Sequence, residues 1–160
     1  MDRAEYQGKA DSGYEAPFDD SYWVIPELFL AGAFPDKWKL RTLMELDFKH
    51  IIDLTEEKED CYFGDYDLYI EVLSRNPGRK PIQHEKIPIA AFDTPDMATM
   101  TMILDKIDSY INMKEKVFVH CHEGIRRTGA VVGCFLMNHD LANENNVLNK
   151  IKQLRRGDYY

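Results

Sequence analysis

The stretch Val117-Phe118-Val119-His120-Cys121-His122-Glu123-Gly124-Ile125-Arg126-Arg127-Thr128-Gly129 is the one place where an apolar run ends in a dense cluster of reactive and anion-binding side chains. Val117 to Val119 are β-branched or aromatic and predict a buried strand. Residues 128–137 (TGAVVGCFLM) are apolar nearly all round and predict a buried central helix. The loop between them presents backbone N–H groups at a helix N-terminus, where unpaired donors and the positive end of the helix dipole favour an anion of phosphate size. The active site is expected here.

The same surroundings, with Arg127 and His120 close in sequence, are expected to favour the thiolate of Cys121 and make it a nucleophile. Arg127 brings a planar fork that can hold two phosphoryl oxygens at once, which a lysine cannot do equally well. Thr128 can hydrogen-bond the sulfur and ease its departure from a covalent intermediate. The backbone of His122, Glu123, Gly124, Ile125, Arg126 and Arg127 is the expected cradle for the phosphate. A buried core cysteine beside a surface arginine would leave the spacing of His, Gly, Arg, Thr and Gly unexplained.

Cys121, five residues, then Arg127, Thr128 and Gly129, with His120 in front, resembles the phosphate-binding loop of the cysteine-dependent protein tyrosine and dual-specificity phosphatases. A rhodanese-type sulfur carrier also places a cysteine loop at a helix start, but the Arg-Thr-Gly ending favours phosphate. The resemblance covers about residues 21–160, is strongest over 87–137, and looks nearest the kinase-associated phosphatase branch. It implies hydrolysis of phosphotyrosine, and of phosphoserine or phosphothreonine, in proteins through a cysteinyl phosphate, with no metal or organic cofactor.

The whole chain sets bounds on this reading. Its 160 residues, 44% apolar and 12% aromatic, suffice for one domain with its own core. A net charge of −8 and a pI near 5.1 disfavour nucleic acid and anionic membrane surfaces, so any attraction for phosphate is local. Cys61, Cys121 and Cys134 have no paired or metal-binding spacing, no signal peptide is evident, and no apolar run approaches a membrane span. The expectation is a cytoplasmic, reduced monomer whose partner is a phosphorylated protein or peptide, or a small phosphomonoester. Cys134 reads as core and Cys61 as incidental, a redox partnership of Cys61 with Cys121 being the lesser alternative.

In order, residues 1–20 read as a flexible leader and 21–160 as the phosphatase domain; Tyr6 and Tyr14 are more simply parts of a solvated tail than modification sites. Residues 22–25 and 28–31 predict a hairpin, Asp36 caps a helix to about Leu46, and residues 48–54 (FKHIIDL) a buried strand. The acidic stretch 55–67 reads as a loop at a strand end, from which Glu56 or Glu57 could hold Arg127, though a solvated charge run is the simpler reading for either. Residues 68–73 predict a short helix and 82–89 another strand. His50 and His84 lack ligand spacing and read as structural or exposed. Thr94 can cap a helix with Pro95 at its first position, carrying Met100, Ile103, Leu104, Ile107, Tyr110 and Ile111 on one face, its methionines in the core. Asn143 can cap a last helix with Val147, Leu148, Ile151 and Leu154 inward. Members of the resembled family commonly continue with another helical segment, so a shortened C-terminus is expected. The alternation predicts a single α/β domain: a central mixed, mostly parallel sheet of four or five strands flanked by helices, with Cys121 after the C-terminal end of a central strand.

Two positions depart from the family pattern. The family's general-acid aspartate falls at Ala91 within Pro88-Ile89-Ala90-Ala91, and alanine cannot protonate a leaving oxygen, a contribution typically worth about 10²- to 10⁴-fold. Loss of the acid, natural or engineered, is the leading reading; Asp93 as a substitute and Glu123 within the loop are the alternatives. The second departure is Arg126, where this branch commonly has glycine; it either stands beside the phosphate or points to solvent. The other functions left open are a phosphate-binding module with little turnover and an inositol or lipid phosphate phosphatase.

Overall fold

The computed structural model describes residues 15–59 and 64–155. Ten elements follow in the order β1 (Ser21–Ile25), β2 (Phe29–Gly32), α1 (Lys37–Glu45), β3 (Phe48–Asp53), α2 (Tyr66–Ser74), β4 (Gln83–Lys86), α3 (Met97–Asn112), β5 (Lys116–His120), α4 (Arg126–Asn138) and α5 (Val147–Leu154). The five strands form one sheet in the order β1-β2-β5-β3-β4, with β1 antiparallel to β2 and every other pair parallel. Parallel strands buried on both faces need apolar side chains on both, and β5 supplies them by alternation. Val117 and Val119 join the core under α3, α4 and α5, with Ile103, Ile107, Val131, Phe135 and Ile151. Phe118 joins the core under α1 and α2, with Leu40, Leu43, Ile70 and Leu73. The predicted single α/β domain with a mixed, mostly parallel sheet is the observed one.

The sheet register puts one row of residues at the C-terminal edge. Gly32 pairs with His120, His120 with Asp53, and Asp53 with Lys86. The segments leaving β2, β5, β3 and β4 therefore emerge side by side, as open α/β sheets require of a site at their carboxyl edge.

Several boundaries differ from those read in the sequence. The α3 helix begins after Asp96, whose Oδ1 accepts from the Thr99 N–H at 2.7 Å, while the Thr94 N–H is taken by Asp93 Oδ1. The carboxylate thus outcompetes the threonine hydroxyl as the cap. In α3, Met97 is 85% exposed and Met102 43%, so only Met100 packs against the core. The last helix begins at Val147 rather than just after Asn143, because residues 143–146 form a turn in which the Asn143 N–H donates to Asn146 Oδ1. Strand β4 ends at Lys86, and α2 begins at Tyr66, whose ring is buried. Residues 15–20, read with the leader, make contacts: Ala16 and Phe18 pack on the α1/α2 core, and Lys39 pairs with Asp20 at 2.8 Å. Tyr6, Tyr14 and Cys61 lie outside the described residues.

Candidate active site

Cys121 leaves β5 at the centre of the sheet and is 2% exposed. Five residues on, α4 opens with Arg126 and Arg127 and has no side-chain cap. Its first-turn N–H groups therefore face the loop rather than a capping oxygen. Gly124 turns the loop back over the sulfur: its φ is +77° and its N–H donates to Cys121 Sγ at 3.2 Å. A Cβ here would lie 2.5 Å from the Gly32 carbonyl carbon and 2.6 Å from the Ala33 nitrogen, so no side chain fits between loop and β2. The loop is tied at both ends, Phe34 N–H donating to the His122 carbonyl at 3.0 Å and Arg155 Nη2 to the Ile125 carbonyl at 2.8 Å.

Arg127 is nearly buried, and its hydrogen bonds can be accounted for donor by donor. Nη1 and Nη2 reach the two oxygens of Glu59 at 2.7 and 2.6 Å, and Nη1 also reaches the Ile89 carbonyl at 3.0 Å and the Leu54 carbonyl at 3.4 Å. A guanidinium has five N–H donors in a rigid fork. The edge formed by Nε and the second Nη2 hydrogen is therefore the one that can receive two oxygens of a phosphate. The hydrogen bonds from Arg127 hold the Glu59 carboxyl below its ordinary range, and Glu59 in turn raises Arg127. Both charges are fixed. Neither Glu56 nor Glu57, the lesser reading of the acidic stretch as a hold on Arg127, hydrogen-bonds its fork; Glu56 gives its N–H to Glu59 Oε2 instead. The stretch 55–67 is recognisably acidic in sequence, but nothing in it distinguishes Glu59 from its neighbours.

Thr128 is wholly buried on the first turn of α4, and among the described residues its Oγ1 has no hydrogen-bond partner. A buried hydroxyl without a partner is costly, and a sulfur accepting from it would remove that cost. His120, expected to help favour the thiolate, has another place. Burial pushes its pKa down, so the ring is neutral. Nδ1 lies 2.9 Å from the Cys121 carbonyl and must carry the proton, because a carbonyl only accepts; Nε2 then accepts from the Tyr66 hydroxyl at 3.2 Å. His120 orients the loop and does not lend it charge.

Above the sulfur lies a pocket of about 190 Å³ lined by Glu59, Ala91, Phe92, Cys121, His122, Glu123, Arg126 and Arg127. Larger depressions, about 900 Å³ on α3 and about 730 Å³ between α4 and α5, are not lined by Cys121. Ala91 is at the wall of this pocket. Asp93 does not line the pocket, and its side chain is turned back onto the Thr94 N–H at 2.8 Å. Glu123 lines the mouth and is exposed. Arg126 does not simply point to solvent: its guanidinium lies 4.8 Å from the ring centre of Phe92, itself 82% exposed and at φ +67°. Phe92 was not singled out by the sequence, which gives no sign of its left-handed backbone. Among the described residues, no group of three or more His, Cys, Asp or Glu side chains is arranged to hold a metal, and no helix is long and apolar enough to cross a membrane.

Strand, loop, buried arginine and helix meet at the carboxyl edge of the sheet, and the family model described as polymorphic toxin system, DSP-PTPase phosphatase matches residues 33–141. The chain belongs to that family. It is similar to the dual specificity protein phosphatase CDC14B of Mus musculus, 28% identical over 146 residues, which are 87% of this chain and 27% of that protein. The chain thus spans little more than a quarter of the length of that relative. Among solved structures it resembles Tk-PTP in its active form, with TM-score 0.71, 22% identity and 86% of both chains covered. It also resembles a kinase-associated phosphatase bearing a serine in place of its catalytic-site cysteine, with TM-score 0.67, 20% identity, and 79% of this chain and 75% of that one covered.

Proposed function

We propose that the chain is a phosphomonoester hydrolase acting on phosphotyrosine, and on phosphoserine or phosphothreonine, of proteins, slowed because Ala91 stands in place of the general acid, and that residues 21–160 form its working unit. In this reading Cys121 attacks phosphorus and forms the S–P bond as the P–O bond to the leaving oxygen breaks. The N–H groups of residues 122–127 and the free edge of Arg127 stabilise the equatorial oxygens. Thr128 then hydrogen-bonds the departing sulfur as water takes the phosphoryl group. The observation that carries the reading is the Arg127 fork, clamped from behind by Glu59 at 2.6 and 2.7 Å and lining one pocket with Cys121.

A second reading, a module that binds phosphorylated protein and turns it over little, is favoured by the pocket's carboxylates. Glu59 is committed to Arg127, and Glu123 is exposed at the mouth. The deciding experiment is turnover of a phosphotyrosyl peptide by the wild type, Ala91→Asp and Cys121→Ser, with an inositol phosphate as a parallel substrate. A rise of about 10²-fold or more in Ala91→Asp, together with loss in Cys121→Ser, supports a phosphatase lacking its acid. Full activity already in the wild type would instead assign the proton transfer to another group. No turnover by Ala91→Asp would favour the binding module, and preference for the inositol phosphate would move the substrate class.

A further inference from the structure

Behind the phosphate loop, on the α2 side of the sheet, lies a chain of polar side chains that the chemistry above does not use. Asp53, the last residue of β3, is 1% exposed, and each of its oxygens is engaged. Oδ2 lies 2.9 Å from His84 Nε2, and Oδ1 accepts from the Thr55 N–H at 2.9 Å and from Thr55 Oγ1 at 2.5 Å. His84 Nδ1 lies 2.7 Å from Asp67 Oδ1, and Tyr66 stacks flat on the imidazole at 3.9 Å. The groups facing His84 are thus Asp53 from β3, Asp67 and Tyr66 from α2, Lys86 on its own strand and His120 from β5. Lys86 Nζ is 3.8 Å from Asp53 Oδ2, and His120 Nε2 is 3.9 Å from Oδ1.

Asp53 sits under both halves of the site. Through the sheet it pairs with His120, the residue before the nucleophile, and through Thr55 it shapes the exit of β3. That exit carries the Leu54 carbonyl, 3.4 Å from Arg127 Nη1, and then Glu59, which holds the Arg127 fork. A buried carboxylate is retained only if its charge is matched, and two acceptors cannot share an imidazole between them unless both ring nitrogens carry protons.

We propose that His84, held between Asp53 and Asp67, is a positioning residue of the phosphate site, keeping the Asp53 carboxylate in the place from which it fixes the β3 exit and the base of the cysteine loop. The proposal rests on the phosphatase reading. Burial opposes the charge on His84, but its hydrogen bonds to Asp53 and Asp67 outweigh this and raise its pKa above 6.5. A raised value gives a support that is complete below the ordinary histidine range and lost as pH rises through the raised value.

The test uses the full chain and its His84→Gln and Asp67→Asn variants. Affinity for inorganic phosphate is read, from mildly acidic to mildly alkaline pH, as protection of Cys121 against iodoacetamide. The modified peptide is quantified by mass spectrometry, so that Cys61 and Cys134 do not contribute. The ionisation of phosphate itself is common to all three chains. In the wild type, affinity falls as pH rises through the His84 titration; in Asp67→Asn it falls at lower pH, because one of the two stabilising carboxylates is gone. In His84→Gln it is weaker at neutral pH by about tenfold, the lower end of what one lost charge-assisted hydrogen bond costs, because His84 acts on the phosphate only through Asp53, and that step in the profile is absent. Equal protection in all three chains at every pH overturns the positioning role alone. No protection in the wild type overturns the phosphatase reading itself. If His84→Gln fails to fold by circular dichroism, Asp67→Asn decides, its carboxylate being 75% exposed.

Discussion

Replacing Glu59 by glutamine keeps its shape and removes its charge, and the consequence for Arg127 follows from the geometry. Besides the Glu56 N–H, which donates to Oε2 at 2.6 Å, the carboxylate receives two short hydrogen bonds from Arg127, 2.7 Å from Nη1 and 2.6 Å from Nη2. A glutamine can accept one of them and must turn an N–H₂ group toward the other donor. The side chains of Glu59 and Arg127 are 17% and 6% exposed, so solvent screens the pair less than it screens a surface ion pair. Charge-assisted hydrogen bonds are worth about 1.5–3 kcal/mol each, so losing one and misdirecting the fork should cost roughly 2–3 kcal/mol of phosphate affinity. That is about a 30- to 150-fold rise in the dissociation constant. Titration calorimetry with inorganic phosphate reads it directly. Because Arg127 lowers the Glu59 pKa from 4.5, the wild-type contribution is present above that ordinary value and is lost as pH falls through the lowered one. Glu59→Gln should show no such loss on the acid side. A change below about threefold, or an acid limb identical in both proteins, would refute the clamp.

Gly124→Ala should be severe for so small a change. Its Cβ meets the Gly32 and Ala33 backbone at 2.5 and 2.6 Å, and φ is +77°. Roughly 2–4 kcal/mol of stability should be lost, read as a lower urea midpoint; a loss under about 0.5 kcal/mol would mean that the loop can lift off β2 freely. Phe135→Ala removes a fully buried ring of α4 packed edge-on against Phe29 at 5.0 Å. The expected cost is about 3–5 kcal/mol in thermal or denaturant unfolding, and a value near 1 kcal/mol would show that the core beneath α4 refills the space.

The parts legible in the sequence are those whose information is local. The strand-loop-helix around Cys121 could be read because β-branched alternation, the glycines and the arginine lie within thirteen residues. The parallel sheet followed from the alternation of elements. The partner of Arg127 did not follow, because Glu56, Glu57 and Glu59 are chemically alike and a turn, with the Glu59 N–H on the Glu56 carbonyl at 3.0 Å, decides among them. His84 was equally opaque: its two carboxylates lie 17 and 31 residues away in sequence, and only the folded sheet brings them to one ring. The start of α3 is harder to place for a simpler reason, since Thr94 and Asp96 both make acceptable caps and it is the Asp96 carboxylate that takes the Thr99 N–H.

The contact of Gly124 with Gly32 and Ala33 has a consequence for how this site can diverge. Where the phosphate loop meets β2, the surface is main chain against main chain, so no substitution at these positions can reshape it without breaking it. Variation in what is recognised is left to Phe92, Glu123 and Arg126, whose side chains line the pocket from exposed positions. On the proposed function, a lineage could exchange those three and move from one phosphorylated surface to another while the seat proposed for the phosphate stayed the same.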